Sequence, residues 1–476
     1  MLALALLVSV GQTCPLGEEA CAVHAPLFAQ IDADLAWWKA EGAEGAEGAV
    51  TQASHVAAMS EKLGDQQPPL IQIVGNKIYC ARYAAARYDD ANYPEHGSNC
   101  FPDDEDKSRL FSVFLLLHRM LQKYTVPDVQ FFFSTCDSSL VHAANGATRS
   151  HLLISEAKTK AFRDVLAPGH SFVAANEQGH TQWEKWMEPL WQAELAAAFP
   201  WERKAEVGFW RGINADTNEV DGETGHMVGG MSHHRKRLVD ATLAQGDAAA
   251  DADNRLLDAR FVANFDADAD RSQLANFTSM RDHGAYKYLL HIDGATYSSR
   301  YMKLLALNSV VLKQVSGWHE YFEAAMRPYH EFLPFDRHST ENVTAQVRWA
   351  MANDGEARKI GARGNAFARK HLSVGGAECY WWKLLTEYAT IFEGGIVLAD
   401  DAQPFVPPPP PIKAVDAAKF RAALTKFYTK HDPKKATDAN IALLVKDFRG
   451  KEKSLAKALA AKYSEAPFEV DDIRED

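Results

Sequence analysis

Residues 287–314 read KYLLHIDGATYSSRYMKLLALNSVVLKQ. The pattern predicts a buried strand over 288–292, a turn of small residues over 293–299, a helix carrying Arg300, Leu304 and Leu305, and a second strand over 310–313. Strand, helix and strand at this spacing form a parallel βαβ unit, because parallel strands cannot be joined by a tight turn. In such a unit the turn after the first strand opens on the ligand crevice, and the next helix aims unpaired N–H groups at it. The residue types suit a diphosphate. Gly294 and Ala295 let the backbone come close, Ser298 and Ser299 offer hydroxyls, and Arg300 offers a planar fork that matches phosphate oxygens. An ordinary serine-capped turn with Arg300 on the surface has the same pattern, since no strict glycine fingerprint is present.

Upstream, VQFFFST at 129–135 is an apolar run between Pro127-Asp128 and Cys136-Asp137-Ser138, the look of a central parallel strand. Asp137 then stands just beyond a carboxyl end, where open α/β sheets bind ligands, or else caps the next turn. GFWRGIN at 208–214 reads as another strand, ending in Arg211-Gly212, whose glycine permits a tight turn or a close approach. Arg235-Lys236-Arg237 introduces an apolar stretch and offers a phosphate-facing arginine, although a solvated face is the commoner fate of such a run. His226, His233 and His234 lack a third ligand at metal spacing, and Asp266-Ala267-Asp268 sits in an alanine- and aspartate-rich stretch that reads as a solvated loop. No metal is expected.

Further elements follow from periodicity. A hairpin is expected over 71–79 around Gly75-Asn76, and helices over 110–124, 318–326, 342–352, 356–371 and 378–392. Five consecutive prolines at 407–411 form a stiff spacer before three helical stretches between residues 415 and 463.

The chain has 476 residues, 47% of them hydrophobic, which is enough for more than one sizeable core. Its net charge of -12 argues against a nucleic-acid or anionic-membrane partner. Residues 2–10 resemble a short secretory signal, and no later stretch is apolar enough to span a bilayer. Two sequons, Asn276-Phe277-Thr278 and Asn342-Val343-Thr344, and six scattered cysteines without C-x-x-C pairs fit an oxidising lumen.

In order along the chain, FFFSTCDSSL, GFWRGIN, the 287–314 unit, RPYHEFLPF, KIGARGNAFARKHL and CYWWKLLTEY resemble glycosyltransferase family 90, which includes fungal capsule-associated proteins and the animal Rumi-type protein O-glucosyltransferases. The resemblance implies an α/β fold of GT-B type, two Rossmann-like domains facing a cleft, with the nucleotide held chiefly by the second. It implies inverting transfer of a sugar, glucose or xylose, from a UDP-sugar to a hydroxyl of a protein or glycan acceptor in the endoplasmic reticulum or Golgi lumen. UDP-sugar would be donor substrate and no cofactor would be needed. Residue by residue, Asp137 matches the catalytic base, and Ala295, Thr296, Tyr297, Ser298, Ser299 and Arg300 match the nucleotide-sugar loop. Arg211 and Gly212 match the family's R-G turn, and Arg235, with Arg237 next, the donor-contacting arginine that follows. The same resemblance pairs Cys80 with Cys100 and Cys379 with Cys21 or Cys14.

The layout expected is a signal peptide at 1–13, a glycosyltransferase region at 14–395 with halves at about 70–240 and 245–395, a linker at 396–414 and a helical appendage at 415–476. Two other readings compete. A noncatalytic nucleotide-sugar or glycan-binding protein would have the same fold, and a nicotinamide-dependent oxidoreductase would need the G-x-G-x-x-G that no predicted strand carries.

Overall fold

The computed structural model describes residues 15–40, 50–63, 68–81, 109–136, 139–144, 147–172, 187–214, 218–221, 224–231, 233–245, 255–263, 270–407, 415–448, 452–465, 467–468 and 473. The chain divides into two compact units, Met1–Pro407 and Pro408–Asp476.

The first unit is mixed α/β. One sheet has the order β15-β2-β1-β3-β4-β6, built from β1 (Leu70–Val74), β2 (Lys77–Ala81), β3 (Val129–Ser134), β4 (Leu153–Ser155), β6 (Val165–Leu166) and β15 (Gln403–Pro404). The other has the order β10-β7-β11-β12-β14, built from β7 (Ala205–Ile213), β10 (Leu257–Ala263), β11 (Tyr286–His291), β12 (Val310–Val315) and β14 (Leu333–Asp336). Two short ribbons complete the described strands: β5 (Ala157–Lys158) with β13 (His319–Glu320), and β8 (Asn218–Val220) with β9 (Met227–Met231).

The second sheet is parallel throughout. Its strands bury both faces, and alternation decides which side chain goes where. Phe209, Leu289 and Val311 enter one core, whereas Trp210, Tyr288, Leu290, Val310 and Leu312 enter the other with Leu238, Val239, Val343 and Val347 from the covering helices. The chain starts in the middle at β7, steps outward to β10, then returns past β7 to β11 and proceeds to β12 and β14. That reversal splays the connections after β7 and β11 and opens a crevice at their carboxyl ends.

The first sheet departs from a doubly wound pattern. Only β3, β4 and β6 run parallel, while β1 is antiparallel to both β2 and β3. The cause is local. Gly75 and Asn76 both have positive φ, 56° and 60°, the two-residue turn that forces an antiparallel hairpin.

Two expected helices change. Residues 318–326 form no helix; β13 pairs with β5 and a 3-10 turn, Glu323–Ala325, follows. Pairing satisfies that backbone from the other half of the unit, so tertiary context overrides local helical preference. The crossover after β11 is only Tyr301–Leu305, with Arg300 as its N-cap. It stops because the buried Lys204 ammonium collects the Leu307 and Asn308 carbonyls at 2.9 and 3.0 Å and Ser309 Oγ at 2.6 Å.

The helix Val374–Ala389 ties the halves together, capped at Ser373 by a hydrogen bond from the Gly376 N–H. Its Trp381 lies under the first sheet, with ring centroids 5.8 Å from Phe131 and 5.9 Å from Phe133. Its Cys379 is bonded to Cys21 at the other end of the unit. Cys80 is also disulfide-bonded, and Cys136 is not. The helix Arg109–Leu121 packs against Val374–Ala389 and β2, which buries it on almost every side.

The second unit has its own small core. Phe420, Leu424 and Phe427 of Ala417–His431 meet Ile441 of Asp438–Asp447 and Leu455 and Leu459 of Glu452–Tyr463. No helix among the described residues is long and apolar enough to cross a membrane.

His55 gives this fold a pH limit. The ring is fully buried, with Nε2–H donating to Leu152 O at 2.8 Å and Nδ1 accepting from Gln130 Nε2 at 3.3 Å, so neither nitrogen has room for a further proton. Burial lowers its pKa from 6.5 to about 4. In that window the unfolded chain binds the proton and the folded chain does not, so stability falls as pH drops from 6.5 towards 4 and levels off below. The His55 share is about 3 kcal/mol. Urea unfolding between pH 7 and 4 is expected to show this loss, and His55→Gln to flatten part of it.

Candidate functional site

The crevice forms where β7 and β11 end. Gly212, next to last in β7, has no substitute there, because a Cβ would lie 2.4 Å from the Trp210 ring. The carbonyl oxygens on either side of it are both taken by arginines. Arg300 Nη1 donates to Arg211 O at 2.6 Å, and Arg235 Nη1 donates to Ile213 O at 3.0 Å. Arg235 also donates from Nε to Asp293 O at 2.8 Å, joining the end of β7 to the start of the loop after β11. It reaches there from the first turn of the helix His234–Ala244, 6% exposed, with its guanidinium 5.5 Å above the Trp210 ring. Gly294 makes room for it, since a Cβ would stand 3.3 Å from Arg235 Nη2.

The loop after β11 is pinned at its base. Asp293 is 2% exposed, its N–H donates to Gln314 Oε1 at 2.9 Å, and its carboxylate accepts from Ser316 Oγ and faces His291 Nε2 at 3.5 Å. Burial would raise its pKa, yet His291, Lys313 and Ser316 hold it below the ordinary value, so it is charged. From there Ala295 is exposed, Thr296 is buried, and Tyr297, Ser298, Ser299 and Arg300 are half-buried. Burial also lowers the Arg300 pKa, a desolvation cost that an anion beside it would offset. Beyond the ends of β12 and β14 a cavity of about 570 Å3 opens past Ser316, lined by Gly317, Arg337, His338 and Asn342.

One contact crosses to the first sheet. The Tyr297 hydroxyl donates to Glu156 Oε2 at 2.7 Å, and Glu156 directly follows β4. The carboxyl end of a parallel strand in one sheet therefore lies within hydrogen-bond reach of the corresponding end in the other.

Of the residues picked out from the sequence, Gly212, Arg235 and 295–300 come together here. Arg211 contributes its carbonyl alone. Its side chain turns to Asp258, Nη1 to Oδ1 at 3.0 Å, and lies 4.3 Å over the Phe209 ring. Arg237 is exposed and donates to Arg337 O at 3.4 Å. Asp137 lies outside the described residues. The chain is described to Cys136, where Arg109 Nη1 holds Thr135 O at 3.1 Å. The histidines separate: His226 faces His142 at 2.6 Å, while His234 bonds Gln314. Residues 266–269 lie outside the described residues, and among those described no group of three His, Cys, Asp or Glu could hold a metal ion.

Sequence reasoning missed Asp293, Glu156, His170 and Arg109. An aspartate opening a glycine turn after a strand was a usable signal for Asp293. Nothing local marks Glu156, which acquires its partner from 141 residues away.

The O-glucosyltransferase rumi of Drosophila melanogaster is 27% identical over 56% of this chain and 62% of its own length. Protein O-glucosyltransferase 2 of Danio rerio is 27% identical over 59% and 51%, and human protein O-glucosyltransferase 3 is 26% identical over 69% and 56%. The chain thus matches between half and two thirds of the length of these relatives. A solved Anabaena protein in complex with UDP and glucose is similar at a TM-score of 0.22 and 9% identity over 42% of this chain and 50% of that one, too weak a likeness to bear on the fold. The model of glycosyl transferase family 90 matches residues 103–407, which takes in the second sheet, the first sheet from β3 onward and the crevice, and the chain belongs to that family.

Proposed function

We propose that the chain is an inverting glycosyltransferase that moves glucose or xylose from a UDP-sugar to a hydroxyl of a protein or glycan acceptor in the lumen of the secretory pathway. The observation that carries this reading is the convergence of Arg235 and Arg300 on the end of β7, beside a glycine-alanine turn with Ala295 exposed, at the point where the strand order reverses. A diphosphate meets there two cations and a backbone it can approach closely. The cavity past Ser316 has room for a nucleoside. The approach of the ends of β4 and β11 through Glu156 and Tyr297 supports a GT-B reading of the two halves.

The chemistry divides between the halves. An acceptor hydroxyl is a weak nucleophile, and Asp137, three residues past β3, takes its proton as the oxygen attacks the anomeric carbon. The bond from that carbon to the diphosphate breaks in the same displacement, which inverts the centre. Charge gathering on departing UDP is met by Arg300 and Arg235, so no metal is required. The relatives' names favour glucose, and the Cys21–Cys379 disulfide favours an oxidising compartment.

Turnover of UDP-glucose and UDP-xylose, measured as released UDP with and without acceptor, tests the reading; absence of UDP binding would sink it. Asp137→Asn is expected to bind UDP normally and lose about 10²- to 10⁴-fold in kcat. Undiminished transfer in that variant would remove Asp137 from its role. Arg300→Ala is expected to weaken UDP binding by about ten- to a hundredfold, the worth of a charge-assisted contact.

A further inference from the structure

Glu156 is a buried carboxylate at the crevice that bonds across to the second sheet's donor loop. Its Oε1 accepts from the His170 N–H at 3.2 Å, and His170 Nδ1 lies 2.8 and 3.0 Å from its two oxygens. Its Oε2 accepts from the Tyr297 hydroxyl at 2.7 Å. The carboxylate rests against Gly169, where a Cβ would stand 2.0 Å from Glu156 Cδ, so a glycine is needed for the carboxylate to be there at all. Apolar side chains surround the contact: Ala157, Val220 and Trp318 form a buried cluster against which the Tyr297 ring packs. The β5–β13 ribbon runs directly alongside, pairing Ala157 with Glu320.

Tyr297 sits in the middle of the loop expected to grip the diphosphate. Asp293 fixes one end of that loop through Gln314 and Ser316, and Arg300 fixes the other through Arg211 O. Between those anchors, Tyr297 is the side chain that hydrogen-bonds the first sheet's half of the unit.

We propose that Glu156, gripped by His170 over Gly169, is a positioning residue that holds Tyr297 and thereby sets the donor loop 294–299 at the place where it meets UDP. This rests on the glycosyltransferase reading above and assigns Glu156 no part in proton transfer. Its oxygens are spent on His170 and Tyr297, and although burial would raise its pKa, the charge and hydrogen bonds of His170 and the Tyr297 hydroxyl hold it at about 2. A carboxylate so firmly ionised and enclosed is a poor proton acceptor at neutral pH. It is a good anchor, because charge-assisted hydrogen bonds in a buried setting are short and directional.

The test separates placement from chemistry. In Tyr297→Phe and Glu156→Gln, the UDP dissociation constant, read by calorimetry, and KM for UDP-glucose are expected to rise together by about ten- to a hundredfold, with kcat changed much less. The double variant is expected to be no worse than the more affected single one, since Glu156→Gln weakens and Tyr297→Phe removes the same interaction. Two results would overturn the proposal. A lower melting temperature with wild-type UDP affinity in Tyr297→Phe would make the bond merely structural. A loss of kcat at unchanged UDP affinity in Glu156→Gln, with Tyr297→Phe like wild type, would place Glu156 at the reacting atoms. Tyr297→Phe keeps the question answerable if the buried Glu156→Gln does not fold. UDP binding without any sugar transfer by the wild-type chain would end the enzymatic reading while leaving the placement test readable, and no UDP binding at all would end both.

Discussion

The carbonyl oxygens at the end of β7 must find donors, and how they do so organises the crevice. A strand that runs past a neighbour, as β7 runs past β11, leaves backbone acceptors that cannot stay unpaired when buried. Arg235 takes one from the helix leading to β10, and Arg300 takes another from the loop following β11. The two arginines thus arrive from opposite sides of the strand-order reversal; Gly294 leaves room for Arg235, and Gly212 keeps the backbone clear of the Trp210 ring. One N–H of Arg300 serves a carbonyl, which orients the guanidinium.

The halves of the first unit are not independent bodies joined by a cleft. Phe131 and Phe133 of the first sheet and Phe209, Leu289 and Val311 of the second belong to one continuous core, together with Tyr380, Trp381 and Leu385. At the crevice the Tyr297–Glu156 bond and the β5–β13 ribbon add polar links. Relative movement of the halves would have to break these small contacts first, whereas the shared core sets how far it could go.

Much of this was legible in the sequence where local rules and global packing agree. The 287–314 stretch is buried strand, turn and strand because a Tyr- and Leu-rich run before a small-residue turn and a valine run after it suit a parallel sheet and little else. The Gly75-Asn76 hairpin was equally plain, although its consequence for the first sheet, an antiparallel edge on a Rossmann-like half, needed the pairing partners of β1. Residues 318–326 and the length of the crossover helix were not legible. The first depends on pairing with Ala157–Lys158, and the second on an ammonium group contributed by Lys204 about a hundred residues upstream. The crevice residues Gly212, Arg235 and 295–300 were picked out by motif, while their supports were not, because a hydrogen bond such as that of Tyr297 to Glu156 leaves no mark on the residues beside it. Arg211 shows the converse: a motif arginine whose side chain the fold commits to Asp258.

The helix Val374–Ala389 supplies the floor beneath β3 and is tethered to Cys21 near the chain's beginning. A chain made from its amino end cannot close the first sheet over its own core until residues beyond 374 have emerged. The early half must therefore wait, collapsed but unfinished, through the synthesis of the entire parallel sheet. The two sheets then mature in one late event, so that no half-built crevice stands with its charges exposed.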